Sequence, residues 1–261
     1  MLCYEICLFL SNRSVLKKYM PFKSIALTLL LLHAAPIHPG TPAGEDTGQG
    51  FIIGYPVDQV YQALEEPLLN PDAFRLAIKG YTQLNADGRI GNNRLLTIID
   101  YSLPSSEDRF FVIDLQQQTM AFRSLVSHGR NSGDLYAVNF SNKVQSHQSA
   151  LGFYITGTTY MGGQGYSLLL EGVEPGFNDL ARARSIVIHG AAYATHDYVS
   201  RYGRLGRSFG CPALPPKLSA SIIDTIKGGS VVFSYYPDES YLMNSAVLNG
   251  SITASSSSSI P

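Results

Sequence analysis

Apolar positions recur with helical spacing early in the chain and with strand spacing through most of the rest. Val60, Leu64 and Leu68 fall on one helical face, broken by Pro67 and Pro71, and Ala73, Phe74, Ala77, Ile78 and Tyr81 then share another. Two short helices are predicted, over 57–69 and 72–84, covering one side of a sheet. From Leu95 the pattern becomes that of strands: 95–101, a Pro104-Ser105-Ser106 turn, 109–115, a turn over 116–119, and 120–127. These three form a meander that ends at His128-Gly129. Segments 146–154 and 165–170 continue the strand rhythm, and Gly157, Gly162 and Gly163 predict an exposed loop carrying Tyr160 and Met161. Ser185 to Ile188 reads as a buried strand that delivers His189 at its end, where Gly190 lets the backbone turn. A helix over 219–226 stops at Gly228-Gly229, and a last strand over 230–236, ended by Pro237, is expected to close the sheet beside Cys211. The fold class is therefore mainly β, a sandwich or partly open barrel with a few short helices.

The ends of the chain change this picture. Around Met20 a short charged lead, an apolar run from Ile25 to Leu32 and the small pair Ala34-Ala35 have the layout of a secretory signal peptide. Residues 1–35 are thus expected to be a targeting segment and the Pro/Gly/Thr-rich 36–50 a flexible linker. The domain is expected over 51–245, with its helical part at about 57–84, followed by a disordered Ser-rich tail over 246–261. Export to the periplasm or beyond would leave Cys211 as the sole thiol, because Cys3 and Cys7 lie in the leading segment. A single thiol forms no internal disulfide, and in an oxidising compartment it is a liability unless it has work to do. With a net charge of −1 and 15% charged residues, the chain lacks the basic footprint that nucleic-acid binding requires.

The densest chemistry lies between Arg184 and Leu214. Gly203, Gly206 and Gly210 break an arginine-rich loop, and Gly210 before and Pro212 behind bend the chain around the Cys211 thiol. A thiol becomes a strong nucleophile as thiolate, and an imidazole such as His189 accepts its proton. Such a pair supports acyl transfer. The amides of Gly210 and Cys211 are the candidate oxyanion donors, and the Ser208 hydroxyl or a backbone carbonyl the candidate orienter of the ring. The alternative is a structural cysteine with a satisfied core histidine, though buried cysteines seldom sit in Gly- and Arg-rich turns. No metal site is expected, since histidines 128, 147, 189 and 196 with Cys211 match no compact ligand spacing. The run from Gly162 to Gly165 lacks the Lys-Ser/Thr of a phosphate loop.

His189-Gly190, followed by Ser208-Phe209-Gly210-Cys211, resembles the signature of the murein L,D-transpeptidase catalytic domain family. Phrases such as GRLGRSFGCPAL, LVSHGRNSG and TIIDYSLPSS carry the resemblance over roughly 74–236. It implies a fold of the L,D-transpeptidase type and a cysteine-dependent acyl transfer on peptidoglycan stem peptides at the cell-wall surface, with no cofactor. Cys211, His189, Ser208 and Gly210 would then be catalytic, and His128, Gly190, Tyr193 and Arg207 would line the substrate groove. His196, Asp197, Tyr198 and Arg201 fall on the loop over that groove. Where many members carry a histidine and an arginine, this chain has Phe209 and Ala213, which leaves Arg207 as the candidate positive charge. Hydrolysis by the same site, as an L,D-carboxypeptidase, and a non-catalytic wall-binding module are the two competing expectations.

Overall fold

A computed structural model describes residues 51–52 and 55–250 of the chain. The expected targeting segment, linker and first two cysteines, and residues 251–261 of the tail, lie outside the described residues. A two-stranded ribbon (β1, Phe51–Ile52; β2, Tyr55–Pro56) leads into helices α1 (Val57–Ala63) and α2 (Pro71–Ala86). The sequence Asn70-Pro71-Asp72 starts α2 by local chemistry. The Asn70 side chain accepts from the amides of Asp72 (2.8 Å) and Ala73 (3.2 Å), while Pro71 takes the first helical position, where its missing N–H costs nothing.

Eight strands make the main sheet: β3 (Leu95–Asp100), β4 (Phe110–Asp114), β5 (Thr119–Ser124), β6 (Gly152–Gly162), β7 (Gly165–Gly172), β8 (Val187–Gly190), β9 (Ala213–Leu214) and β10 (Val231–Tyr235). Their order is β5-β4-β3-β10-β6-β7-β8-β9. Helices α3 (His196–Tyr202), α4 (Pro216–Ile226) and α5 (Glu239–Asn244) are short. The meander β3-β4-β5 is as expected, but the last strand does not sit at the end of the sheet. β10 runs parallel to β3 and antiparallel to β6, filling the middle. The sheet instead curls shut beyond β5, where the Ser127 amide donates to the Ala213 carbonyl on β9 (2.9 Å). Next along, the Ser208 amide donates to the His128 carbonyl (2.9 Å) and the Arg130 amide to the Ser208 carbonyl (2.8 Å). The result is a nearly closed, barrel-like sheet.

β3, β4 and β10 are buried along their whole length, which explains their unbroken apolar runs. Alternate residues feed two cores. Leu96, Ile98, Phe111, Phe153 and Phe233 pack with α1, α2 and α5, while Leu95, Ile99, Phe110 and Val232 face the inside of the curl with Ile188 and α4. Two boundaries differ from expectation. Residues 141–151 run as a loop before β6, held by side-chain and main-chain bonds to the 129–132 turn. β6 then continues to Gly162, so Tyr160 and Met161 lie exposed on a strand, and the β6–β7 hairpin turns over Gly163 and Gln164 alone. At the far end Val247 and Leu248 are buried in the first core, so packed chain extends past residue 246, where the tail was expected to begin.

α2 can lie on the sheet only because it carries Gly80. A Cβ there would stand 2.1 Å from the Phe153 ring, which is itself stacked on Phe233 with centroids 4.2 Å apart. The ring has nowhere to retreat. Gly80→Ala is expected to lower stability by about 1–3 kcal/mol through overpacking, despite the helix-propensity gain of about 1 kcal/mol. Urea unfolding monitored by circular dichroism measures the difference.

Candidate active site

β8 and β9 run side by side and parallel, with His189 opposite Ala213, and Cys211 lies two residues before Ala213, just ahead of β9. The His189 amide donates to the Pro212 carbonyl (3.4 Å), which sets the Gly210–Pro212 turn alongside the end of β8. The Ser208–Cys211 turn is pinned by the Ser208 hydroxyl, which accepts from the Gly210 amide (3.0 Å) and donates to the Cys211 carbonyl (2.6 Å). Gly210 has φ +122°, a left-handed conformation that disfavours any side chain, and a Cβ there would also stand 2.7 Å from the Gln148 carbonyl. The turn therefore needs both Ser208 and Gly210.

Cys211 is half-buried, and its thiol donates to the Ser185 carbonyl (3.6 Å). Burial pushes it above the ordinary thiol value, offset by the Val187 amide and the Arg184 charge, both of which favour the thiolate. His189 is buried, with its Nδ1 3.0 Å from the Gly190 carbonyl. A carbonyl can only accept, so Nδ1 carries the proton and Nε2 keeps its lone pair. Burial pushes this imidazole below its usual value, the Gly190 carbonyl resisting. Both directions favour a resting state of neutral thiol and neutral imidazole. Among the described residues the two side chains do not hydrogen-bond each other, a looseness common in unliganded sites.

The other expected site residues divide sharply. Gly190 ends β8 with its carbonyl on the His189 ring, and a Cβ there would stand 2.6 Å from Ser219 Oγ. Tyr193 packs over Gly206, where a Cβ would come within 2.4 Å of it; burial raises its phenol, as does the nearby Cys211 charge. Four expectations are corrected. His128 does not line a groove: it is fully buried, receiving the Arg109 guanidinium at Nδ1 (2.7 Å) and directing Nε2 to the Gly133 carbonyl (3.4 Å). Burial, with the Arg109 charge second, pushes it down to about 3, so it stays neutral. Arg207 turns away from the thiol to pair with Asp134 (3.2 Å) and to donate to the Gly133 carbonyl (3.0 Å), latching the 130–134 turn. The Gly210 amide, expected as an oxyanion donor, is taken by Ser208, while the Cys211 amide has no partner among the described residues. Ser208 braces the turn and does not touch the ring, which a backbone carbonyl orients instead.

A residue without an assigned role in the sequence reading, Arg184, stands where Arg207 was expected. Its Nη2 lies 3.1 Å from the position of a Gly210 Cβ. Phe209 is exposed beside this turn, its ring 4.6 Å from that of His147 and its face under Arg130 (5.2 Å). Beyond the Gly190 turn, a cavity of about 810 Å³ opens between α3, the end of β5 and the start of α4. Asp108, Arg123, His196, Tyr198, Arg201 and Lys217 are in its wall, whereas neither His189 nor Cys211 lines it.

The model of the L,D-transpeptidase catalytic domain matches residues 65–235. Among solved structures, similarity extends to an L,D-transpeptidase from Mycobacterium smegmatis, 13% identical over 55% of this chain and 59% of that one, with a TM-score of 0.35. L,D-transpeptidase 3 from Mycobacterium tuberculosis is 11% identical over 55% and 61%, with a TM-score of 0.36. The helical cell shape determining protein of Campylobacter jejuni is 15% identical over 56% and 48%, with a TM-score of 0.37. The chain thus spans less than two thirds of the length of each of these neighbours. A search of curated proteins finds no match. With the family match running from the helical part through β10, the chain belongs to the L,D-transpeptidase catalytic domain family.

Proposed function

We propose that this protein is a cysteine-dependent L,D-transpeptidase acting on peptidoglycan stem peptides, delivered to the periplasm by its 1–35 segment. The observation that carries the reading is that β8–β9 pairing sets the Cys211 turn beside the strand end bearing His189, whose Nδ1 is held by the Gly190 carbonyl. In this reading Nε2 of His189 takes the thiol proton as sulfur adds to the carbonyl that joins an L-centre to a terminal D-residue. The Cys211 amide donates to the developing oxyanion. Collapse expels the D-residue amine, which receives the proton from the imidazolium, and leaves a thioester on Cys211. An amine from a second stem then attacks the thioester; His189 takes its proton and returns it to the departing sulfur. The chemistry needs no cofactor. Because the resting pair is neutral, proton removal and carbon–sulfur bond formation are coupled, and no thiolate is stored in advance.

Intact-mass measurement with a carbapenem tests the nucleophile. Wild-type protein is expected to gain one covalent adduct, and Cys211→Ala none; an adduct on Cys211→Ala would refute the assignment. Incubation with tetrapeptide muropeptides tests the acceptor: dimers are expected, whereas tripeptides alone point to water. Neither adduct nor product from the wild-type chain would leave a binding module.

A further inference from the structure

Arg184 presents an unbalanced charge. Its Nη1 donates to the Ser141 carbonyl (2.6 Å), and its Nη2 donates to the Gln148 carbonyl and the Ser146 hydroxyl (3.3 Å). All three acceptors are neutral, and among the described residues no carboxylate lies within ion-pair distance of it. A partly buried guanidinium without an anion is costly, and charge-assisted partners are the strong ones. The anion this cation faces is the one that Cys211 forms. Arg184 packs on Gly210, immediately before the nucleophile, and the next residue, Ser185, supplies the carbonyl that receives the thiol.

We propose that Arg184 is a positioning residue of the acyl-transfer site: its guanidinium clamps the 141–148 loop against the Ser208–Cys211 turn and is the fixed positive charge against which negative charge develops on the Cys211 sulfur. This rests on the catalytic reading of Cys211 given above. It also accounts for Ala213 and Arg207, since the charge absent from the first and turned away in the second comes from the residue that precedes the β8 segment. The mutual influence of the two groups agrees: Arg184 favours the thiolate, and Tyr154 first and Cys211 after it hold up a guanidinium that burial pushes down. The other titratable groups facing the thiol are the His189 imidazole on β8 and the phenols of Tyr101 after β3, Tyr154 on β6 and Tyr193, which are neutral near pH 7. Arg184 is the permanent charge among them.

The test is the pH dependence of Cys211 alkylation by iodoacetamide on the purified full chain, read by mass on the proteolytic peptide that carries Cys211. Arg184→Met is expected to raise the midpoint by about one pH unit and to slow alkylation at pH 7 about tenfold, while Arg184→Lys keeps the charge and moves the midpoint by less than half as much. An unchanged midpoint in Arg184→Met overturns the proposal, as does an equal shift in Arg184→Lys, which would mean that only the loop clamp matters. Should Arg184→Met not fold, Arg184→Gln, which retains N–H donors for the loop carbonyls, is held to the same midpoint shift. Alkylation needs no peptidoglycan, so a shifted midpoint together with no carbapenem adduct would sink the transpeptidase reading and leave the electrostatic one standing.

Discussion

Replacing His189 with alanine is expected to slow carbapenem acylation of Cys211 by about 10²–10⁴-fold, the span that a positioned general base contributes. The shape of the pH profile is the sharper signature. In the wild type the reacting pair is a neutral thiol and a neutral imidazole, so the rate is flat between the two ionisations. Burial lowers the imidazole, placing the acid limb below its ordinary value of 6.5, and raises the thiol, placing its ionisation above 9.0. Without the ring, reaction depends on the small thiolate fraction. The rate should then climb tenfold per pH unit through the neutral range, with no plateau there. A plateau retained in His189→Ala, measured by stopped-flow or timed mass spectrometry, would mean that another group accepts the proton.

The second large effect lies outside the site, at Glu174. This buried carboxylate accepts the Phe153 amide (2.7 Å), the Tyr241 hydroxyl (2.9 Å) and the Ser245 hydroxyl, and so ties β6 to α5 and the segment behind it. Glu174→Ala strands three buried donors at about 1–3 kcal/mol each, and a loss of at least about 3 kcal/mol is expected. Glu174→Gln keeps an acceptor oxygen and should lose less. Burial raises this carboxyl above its ordinary 4.5, so over some range the native state holds a proton that the unfolded chain has released. Wild-type stability should therefore decline relative to Glu174→Gln as pH rises from about 4 upward, reaching its full deficit above the folded value. Chemical denaturation of both proteins at several pH values gives the comparison, and a difference that does not move with pH would remove the ionisation from the account.

What sequence reading captured was local. The apolar face of α2, the apolar runs of β3 and β4 and the His189 strand are each encoded within a few residues, and the Cys211 turn stands out because glycine and proline bracket it. What it missed depends on distant partners. The groove role of His128 comes only from the family resemblance; the Arg109 guanidinium that claims its ring arrives from the residue before β4, held by the Val126 and Leu103 carbonyls. Arg184 carries no local mark either, since its charge matters only once the 141–148 loop and Gly210 fold onto it. Gly157 and Gly162 were read as breaks because glycine is poor in strands, but β6 absorbs them through a register shift between Thr156 and Thr159 and a tight turn after Gly162. The central position of β10 was not legible, because alternation along a strand says nothing about its neighbours.

That central strand has a consequence for how the molecule comes into being. β3 and β6, the two sides of the gap, are complete long before the residues from Val231 onward that bridge them have been synthesised. Until those residues arrive, the first half presents two unpaired sheet edges, and the strands carrying histidine and cysteine have no finished wall behind them. Assembly by such long-range closure is slow, and it ties maturation of the nucleophile to near-completion of the polypeptide, so a ribosome-bound fragment ending before Val231 would be inert.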